Sequence, residues 1–321
     1  MPSSSFKRLL LAGAFAAATV AALPAHAAYS GIVFFGDSLS DTGNIWYATG
    51  GFPPAPYYQG TSGGAPSYTG GQWSDYLGPS WPTVFAAKFG LLAIPSVVGG
   101  NNYAWGGART GVNPDATGAP WLDQQVGQYL GTGMPPSTST LYSVMIGGND
   151  VANNLFTPNV VPGINSIIAS LTNLYNAGGR QFLVSNVPDI GATPEFLARG
   201  ADAAALASLR TVQWNTALEA ALDSLSLQGA SIGFLDLYGL GKDPALLAGY
   251  ANITDACLTA QSLCPDPSQY FYWDSFHPTS RTHASIADFA AQAVAVPEPE
   301  TYMLFAMGLA ALAGVSRKRA S

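Results

Sequence analysis

Residues Ile32-Val33-Phe34-Phe35 are apolar without interruption, and the run breaks at once into Gly36-Asp37-Ser38-Leu39-Ser40-Asp41-Thr42-Gly43-Asn44. A strand covered on both faces needs apolar side chains continuously, whereas a half-exposed strand alternates. The run therefore predicts a buried strand of a parallel sheet. The break predicts a turn that lifts a hydroxyl off the strand's carboxyl end. Open α/β sheets bind ligands at that end, so Ser38 is the first candidate functional residue. The same letters also fit a turn that is merely rich in small polar residues, and the rest of the chain has to separate the two readings.

Both ends look non-globular. Residues 1–27 read as a secretory signal peptide: Lys7 and Arg8 give the positive start, an apolar stretch follows, and Ala25-His26-Ala27 is a cleavage site. An N-terminal membrane anchor is the competing reading. At the other end, Pro297-Glu298-Pro299-Glu300 precedes a small or apolar run over 302–315 and then Arg317-Lys318-Arg319. That run is short of the ~20 residues of a spanning helix, and its basic end favours the cytoplasmic side. Residues 297–321 resemble the PEP-CTERM sorting signal of Gram-negative bacteria. The resemblance implies an exosortase as processing partner and delivery to the cell surface, outer membrane or extracellular matrix; an ordinary short anchor is the alternative.

Residues 28–296 remain, long enough for one α/β domain with a sizeable core. Charged residues make up 10% of the chain, and the balance is acidic at −7. Five of the 12 basic residues belong to the two ends, which leaves no basic face for nucleic acid. Cys257 and Cys264 are the only cysteines. Close together in an exported chain, they are expected to form a disulfide. With no histidine or third cysteine nearby, no metal site is expected, and nothing implies a cofactor.

Residues 45–82 are dense in Gly, Pro, Tyr and Trp and predict a long ordered loop beside Ser38. Strands are predicted near 94–98 and over 141–146, 181–185 and 232–237, alternating with helices over 81–89, 121–130 and 164–176. A further long helix carries Leu206, Leu209, Trp214, Ala217, Leu218, Ala221, Leu222 and Leu225 on one face, and a last one turns Ile286, Phe289, Ala290, Ala293 and Val294 inward. Alternating strand and helix argues a parallel sheet with helices on both faces. Gly229-Ala230-Ser231-Ile232-Gly233 fits the spacing of a nucleophile elbow, but that motif needs a strand running into a helix. Here a helix runs into a strand, so Ser231 is set aside.

Outside the signal the histidines are His277 and His283. His277 follows Asp274 by three residues, so one turn can bring the carboxylate to the ring. His283 reads as a surface position at the start of the last helix. Four segments, in order, resemble the GDSL family of SGNH hydrolases: Gly36 to Asn44, Asn102-Tyr103-Ala104-Trp105-Gly106-Gly107-Ala108, Gly147-Gly148-Asn149-Asp150, and Asp274-Ser275-Phe276-His277-Pro278-Thr279. Val187-Pro188-Asp189-Ile190-Gly191 also fits the stretch between the last two blocks. The resemblance implies a three-layer α/β/α sandwich with five parallel strands in the order 2-1-3-4-5. It implies Ser38 as nucleophile, His277 as general base and Asp274 as its orienting carboxylate, with an oxyanion hole from Ser38, Gly107 and Asn149. Asp37 and Asp150 are read as supports of their turns. One departure is that family members often carry Arg-Phe-Ser after a Pro-rich stretch, whereas residues 53–75 contain no arginine; this bears on the shape of the groove.

The leading expectation is thus an exported serine esterase or lipase acting on carboxylic esters. A polysaccharide O-acetyl esterase is the alternative within the class. An inactive surface or matrix binding protein on the same fold is the alternative outside it.

Overall fold

Along the chain the elements run β1 (Gly31–Gly36), α1 (Asn44–Thr49), β2 (Tyr57–Tyr58), β3 (Gln72–Asp75), α2 (Trp81–Ala87), α3 (Leu122–Leu130) and β4 (Thr140–Met145). Then come α4 (Gly148–Asn153), α5 (Val161–Asn176), β5 (Gln181–Ser185), α6 (Pro194–Ala198), α7 (Ala201–Ser224) and β6 (Ser231–Leu235). The chain ends through α8 (Leu237–Leu240), α9 (Pro244–Leu247), β7 (Asn252–Ala256), β8 (Tyr270–Tyr272) and α10 (Ser280–Ala293). This is a computed structural model, and it describes residues 29–60, 70–114, 118–156 and 159–294. These fall within one unit, Tyr29–Val294. The expected signal peptide and sorting tail lie outside the described residues.

The central sheet has the order β1-β4-β5-β6, and every pairing is parallel. Val33, Phe35, Tyr142, Val144, Phe182 and Val184 join one core with the buried stripes of α3, α5 and α7. On the other side Phe34 meets Trp81 and Phe85 of α2 edge-on, with ring centroids 5.7 and 6.4 Å away. Ile286, Ala287 and Ala290 of α10 are also buried. Covering on both faces is why β1 carries an unbroken apolar run.

Four strands form where five were expected. Residues 94–98 form no strand: Pro95 leads into a 3-10 turn over Ser96–Val98, and Val97 and Val98 are exposed. The place beside β1 is taken by extended chain just after it. Phe34 N donates to Asn101 O, Tyr103 N to Phe34 O and Trp105 N to Gly36 O. Asn101 Nδ2 also donates to Ile32 O at 2.6 Å. Pro95 has no N–H for a ladder, so side chain and loop backbone complete the edge instead.

Two helical faces differ from expectation. On α7 the buried stripe is Ala207, Thr211, Trp214, Asn215 and Leu218, while Leu209 is exposed. Thr211 and Asn215 are buried because they bond the backbone of Ile190 and Val187. α10 starts at Ser280 and buries Thr282 and His283, leaving Phe289 partly exposed. Cys257 and Cys264 are bridged. Closing so short a loop is worth about 2–3 kcal/mol by chain entropy.

The end of β1 is held from α3. Gln125, fully buried, accepts from Gly36 N and donates to Gly36 O, each at 2.8 Å. Gly36 has no room for a side chain, since a Cβ there would lie 2.2 Å from Met145 O. Gln125→Leu keeps the volume but strands Gly36 N, while Gly36 O keeps the Trp105 amide. A buried unpaired group costs ~1–3 kcal/mol, so urea denaturation is expected to read a loss in that range.

Candidate active site

The Ser38 turn is built from its own backbone and two buried carboxylates. Asp37 O accepts from Ser40 N and Asp41 N, and Asp37 Oδ1 accepts from Leu39 N at 3.0 Å, which leaves Ser38 half-buried at the crest. Asp41, fully buried, accepts four backbone amides: Gly43 and Asn44 on Oδ1, Ile45 and Gly106 on Oδ2. It thereby caps α1 and holds the second block at once. Asn44 Nδ2 donates to Asn102 O and Ala104 O, and Asn102 Nδ2 donates to Ser40 O. The first two blocks are one hydrogen-bonded unit.

That unit separates the two adjacent glycines. Gly106 N is committed to Asp41, whereas Gly107 lines the cavity that also holds Ser38. Gly107 has φ +78°, a conformation that favours glycine. Asn149, in the first turn of α4, lines the same cavity and donates from Nδ2 to Ala108 O at 2.9 Å. Asp150 accepts from Thr110 N and Thr110 Oγ1, which ties α4 to the second block.

The last block follows β8. Asp274 Oδ1 accepts from Phe276 N at 2.8 Å and His277 N at 2.7 Å, and this tight turn brings the His277 ring back over the carboxylate. His277 Nδ1 lies 2.7 Å from Asp274 Oδ2, and Nε2 lies 2.8 Å from Ser38 Oγ. Burial pushes the Asp274 carboxyl upward, but the His277 charge, its hydrogen bond and the two amides outweigh this and hold it at about 2. The ionised carboxylate can only accept, so Nδ1 carries the hydrogen and Nε2 offers its lone pair to the Ser38 hydroxyl. Such a line can move a proton from Oγ to Nε2 while the carboxylate stays charged.

The other carboxyls behave oppositely. Burial raises Asp37 to about 7, with the Leu39 amide and His277 opposing it and Asp150 adding to it. Burial likewise raises Asp41 to about 6 against its four amides. Asp150 is also raised, by burial first, against the Thr110 bonds and Arg109.

Several residues at the site were not singled out from the sequence. Trp73 stacks on the His277 ring at 4.5 Å and 29°. Tyr57 OH donates to Asp274 Oδ2 at 2.8 Å. Both come from the aromatic stretch expected to lie beside Ser38, but that stretch folds in part, as α1 and the antiparallel pair β2–β3. Residues 61–69 of it lie outside the described residues. The available signal was aromatic density; which ring meets the dyad depends on strand pairing. Gln125 gave no signal, since one amide on an amphipathic helix looks like a surface residue.

His283 is not at the surface. It is fully buried, its Nδ1 accepts from Trp81 N at 3.2 Å and its Nε2 lies 3.1 Å from Trp73 O. Ser231 sits at the amino end of β6, the end of a parallel strand away from the site. Arg109 lies over the Trp121 ring and does not line the cavity. Among the described residues no group of three or more His, Cys, Asp or Glu is arranged to hold a metal ion.

Burial lowers the His283 imidazole to about 4. The folded chain then binds this proton less readily than the unfolded chain, whose imidazole titrates near ~6.5. Stability from His283 is present above that pH and is lost as pH falls toward 4. Urea midpoints measured across this window should fall less steeply in His283→Gln, whose amide can both accept and donate.

Residues 32–290 match the family described as GDSL-like lipase/acylhydrolase, and residues 295–319 match the PEP-CTERM protein-sorting motif. The chain is 27% identical to a GDSL esterase/lipase of Arabidopsis thaliana over 311 residues, covering 79% of each. It is 28% identical to a phosphatidylcholine-sterol acyltransferase of Aeromonas hydrophila, covering 88% of this chain and 82% of that one. A solved structure of a lipolytic G-D-S-L family member from Veillonella parvula aligns with TM-score 0.41 at 13% identity, over 81% of this chain and 96% of that one.

Proposed function

Because the chain belongs to the GDSL-like lipase/acylhydrolase family, we propose that it hydrolyses neutral carboxylic esters through an acyl-enzyme on Ser38. The observation that carries this reading is the continuous line from Asp274 through His277 to Ser38 Oγ, with both contacts under 3 Å. His277 takes the hydroxyl proton as Oγ attacks the ester carbonyl, then returns it to the leaving alcohol; water repeats the cycle on the acyl-enzyme. Asp274 keeps the imidazole in its working tautomer and balances the imidazolium. The oxyanion is received by the Ser38 and Gly107 amides and the Asn149 side chain.

The cavity supports an acyl chain as the group recognised. It encloses about 440 Å³, and beyond the polar rim it is lined by Met145, Ile146, Val187, Leu237, Leu240 and Ile286. An acetyl group would leave most of that space unfilled, which favours short- to medium-chain esters over polysaccharide O-acetyl groups. Arg199 also lines the cavity, but it is paired with Glu195 and lies over the Phe196 ring. Among the described residues that line it, the cavity therefore offers no unpaired Lys or Arg to an anionic substrate. The PEP-CTERM motif implies exosortase-dependent export to the cell surface. We place the signal peptide and tail of a Gram-negative bacterial exporter around this domain, so that the esters it meets are extracellular.

Ser38→Ala is expected to abolish turnover with an unchanged circular dichroism spectrum, and a fluorophosphonate should label Ser38 alone. Labelling at Ser231 would sink the assignment. Asn149→Ala should cost on the order of 10²- to 10³-fold in kcat, the usual worth of one oxyanion donor. A loss below threefold would remove Asn149 from the hole.

A p-nitrophenyl ester series, run beside an acetylated polysaccharide and with and without a chelator, tests the substrate. kcat/KM should rise from acetate to butyrate and beyond, and Leu240→Trp should shift the preference back toward acetate. Activity on the acetylated polymer alone would favour the O-acetyl esterase reading. Loss of activity on chelation would break the mechanism.

A further inference from the structure

We propose that Tyr57 is a positioning residue for the Asp274–His277 pair, holding the carboxylate oxygen that faces the imidazole. The proposal rests on the Ser38–His277–Asp274 reading above and adds a fourth member that acts through Asp274 alone.

Asp274 Oδ2 has two partners, His277 Nδ1 at 2.7 Å and Tyr57 OH at 2.8 Å. Oδ1 is occupied by the Phe276 and His277 amides. The carboxylate thus has two donors on each oxygen. The amide pair fixes Oδ1, and the phenol fixes where Oδ2 can lie relative to Nδ1. The phenol is itself held. Its ring meets Trp73 and Trp273 edge-on at 5.8 and 5.9 Å. Its backbone pairs with Asp75 on β3, and Gln59 Nε2 donates to Tyr57 O at 3.1 Å. Burial and the Asp274 charge push phenol ionisation well above its ordinary range, so the OH stays a donor at every working pH.

The consequence is electrostatic as well as geometric. When Ser38 Oγ gives its proton to Nε2, the imidazolium is balanced by Asp274, and a second donor on Oδ2 spreads that negative charge. The proton on Nδ1 then stays on nitrogen instead of moving to the carboxylate. Removing the phenol OH leaves Oδ2 more basic and less fixed. The imidazolium is then held more strongly, while alignment with Oγ loosens. The other titratable groups that interact with the pair are Asp37, next to Ser38 in the chain, and His283 on α10, and the substitution leaves both in place.

The test compares full-length wild type, Tyr57→Phe and Gln59→Ala. Two readouts are taken: the pH dependence of Ser38 labelling by a fluorophosphonate, followed by intact mass, and kcat and KM on p-nitrophenyl butyrate. Tyr57→Phe keeps the ring packing. It should slow labelling and kcat by about tenfold, roughly one hydrogen bond to a charged group, with KM within about twofold. Its acid limb should move to higher pH by about half a unit. Gln59→Ala removes the side-chain bonds to Trp46, Pro53 O and Tyr57 O but keeps the phenol OH, so any shift of its acid limb should be well below that of Tyr57→Phe. An unmoved limb and unchanged rate in Tyr57→Phe would overturn the proposal, as would an equal shift in Gln59→Ala, which would make the effect one of general packing. Labelling that survives Ser38→Ala would instead overturn the reading on which the proposal rests.

Discussion

A parallel strand that ends at a polar turn leaves backbone groups that its neighbouring strands do not pair, and this fold meets that constraint with buried amide and carboxylate side chains. Backbone N–H and C=O groups buried without partners are among the costliest defects a protein can carry. Along β1 and into its turn, Asn101 takes Ile32 O, Gln125 bonds both groups of Gly36, and Asn102 takes Ser40 O. Asp41 and Asn44 do the same for α1 and the second block. The turn is therefore held by side chains that pair its backbone groups, and among its buried side-chain polar atoms Thr42 Oγ1 is left without a partner. Each such side chain also ties the Ser38 loop to a different segment, so the position of Oγ depends on α3, the 101–106 chain and α1 together.

This explains what was legible in the sequence. The runs at β1, β4 and β5 are mostly apolar because both faces are covered, and a one-dimensional pattern carries that directly, whereas β6 at the edge is only partly buried. The Asp274 and His277 pairing is also local, a three-residue turn closed by two amides. That residues 94–98 form no strand was not legible, since Val97 and Val98 look like strand residues while Pro95 and the following glycines stop the ladder. His283 misled for a related reason: a lone imidazole near a helix start looks exposed until Trp81 N and Trp73 O, far away in sequence, provide its partners. Gln125, Tyr57 and Trp73 belong to the same class. Their roles depend on which distant backbone or ring they meet, and no periodicity encodes that.

Four carboxyls crowd this end of the sheet, and their environments drive them apart. Asp37, Asp41 and Asp150 are raised by burial, while Asp274 is held at about 2. Burial acts on all four. What distinguishes Asp274 is a partner that becomes positively charged, joined to amide donors on its other oxygen. Groups of one chemical type pushed apart in this way mark where proton transfer is organised. The Asp37 carboxyl, raised to about 7 by burial, accepts the Leu39 amide within the turn that carries Ser38.

The surroundings of His277 complete the argument. Its Nδ1 edge is closed by Asp274, one ring face is covered by Trp73, and its side chain is only 12% exposed. Trp73 in turn packs against Gly106, where a Cβ would come within 3.0 Å of the indole nitrogen. Gly106 therefore does two things: its N–H anchors Asp41, and its bare α-carbon lets the indole reach the imidazole. Nε2 is left as the ring nitrogen that faces Ser38. The second block, through Gly106 and the indole it admits, thus helps to set which ring nitrogen of His277 faces Ser38.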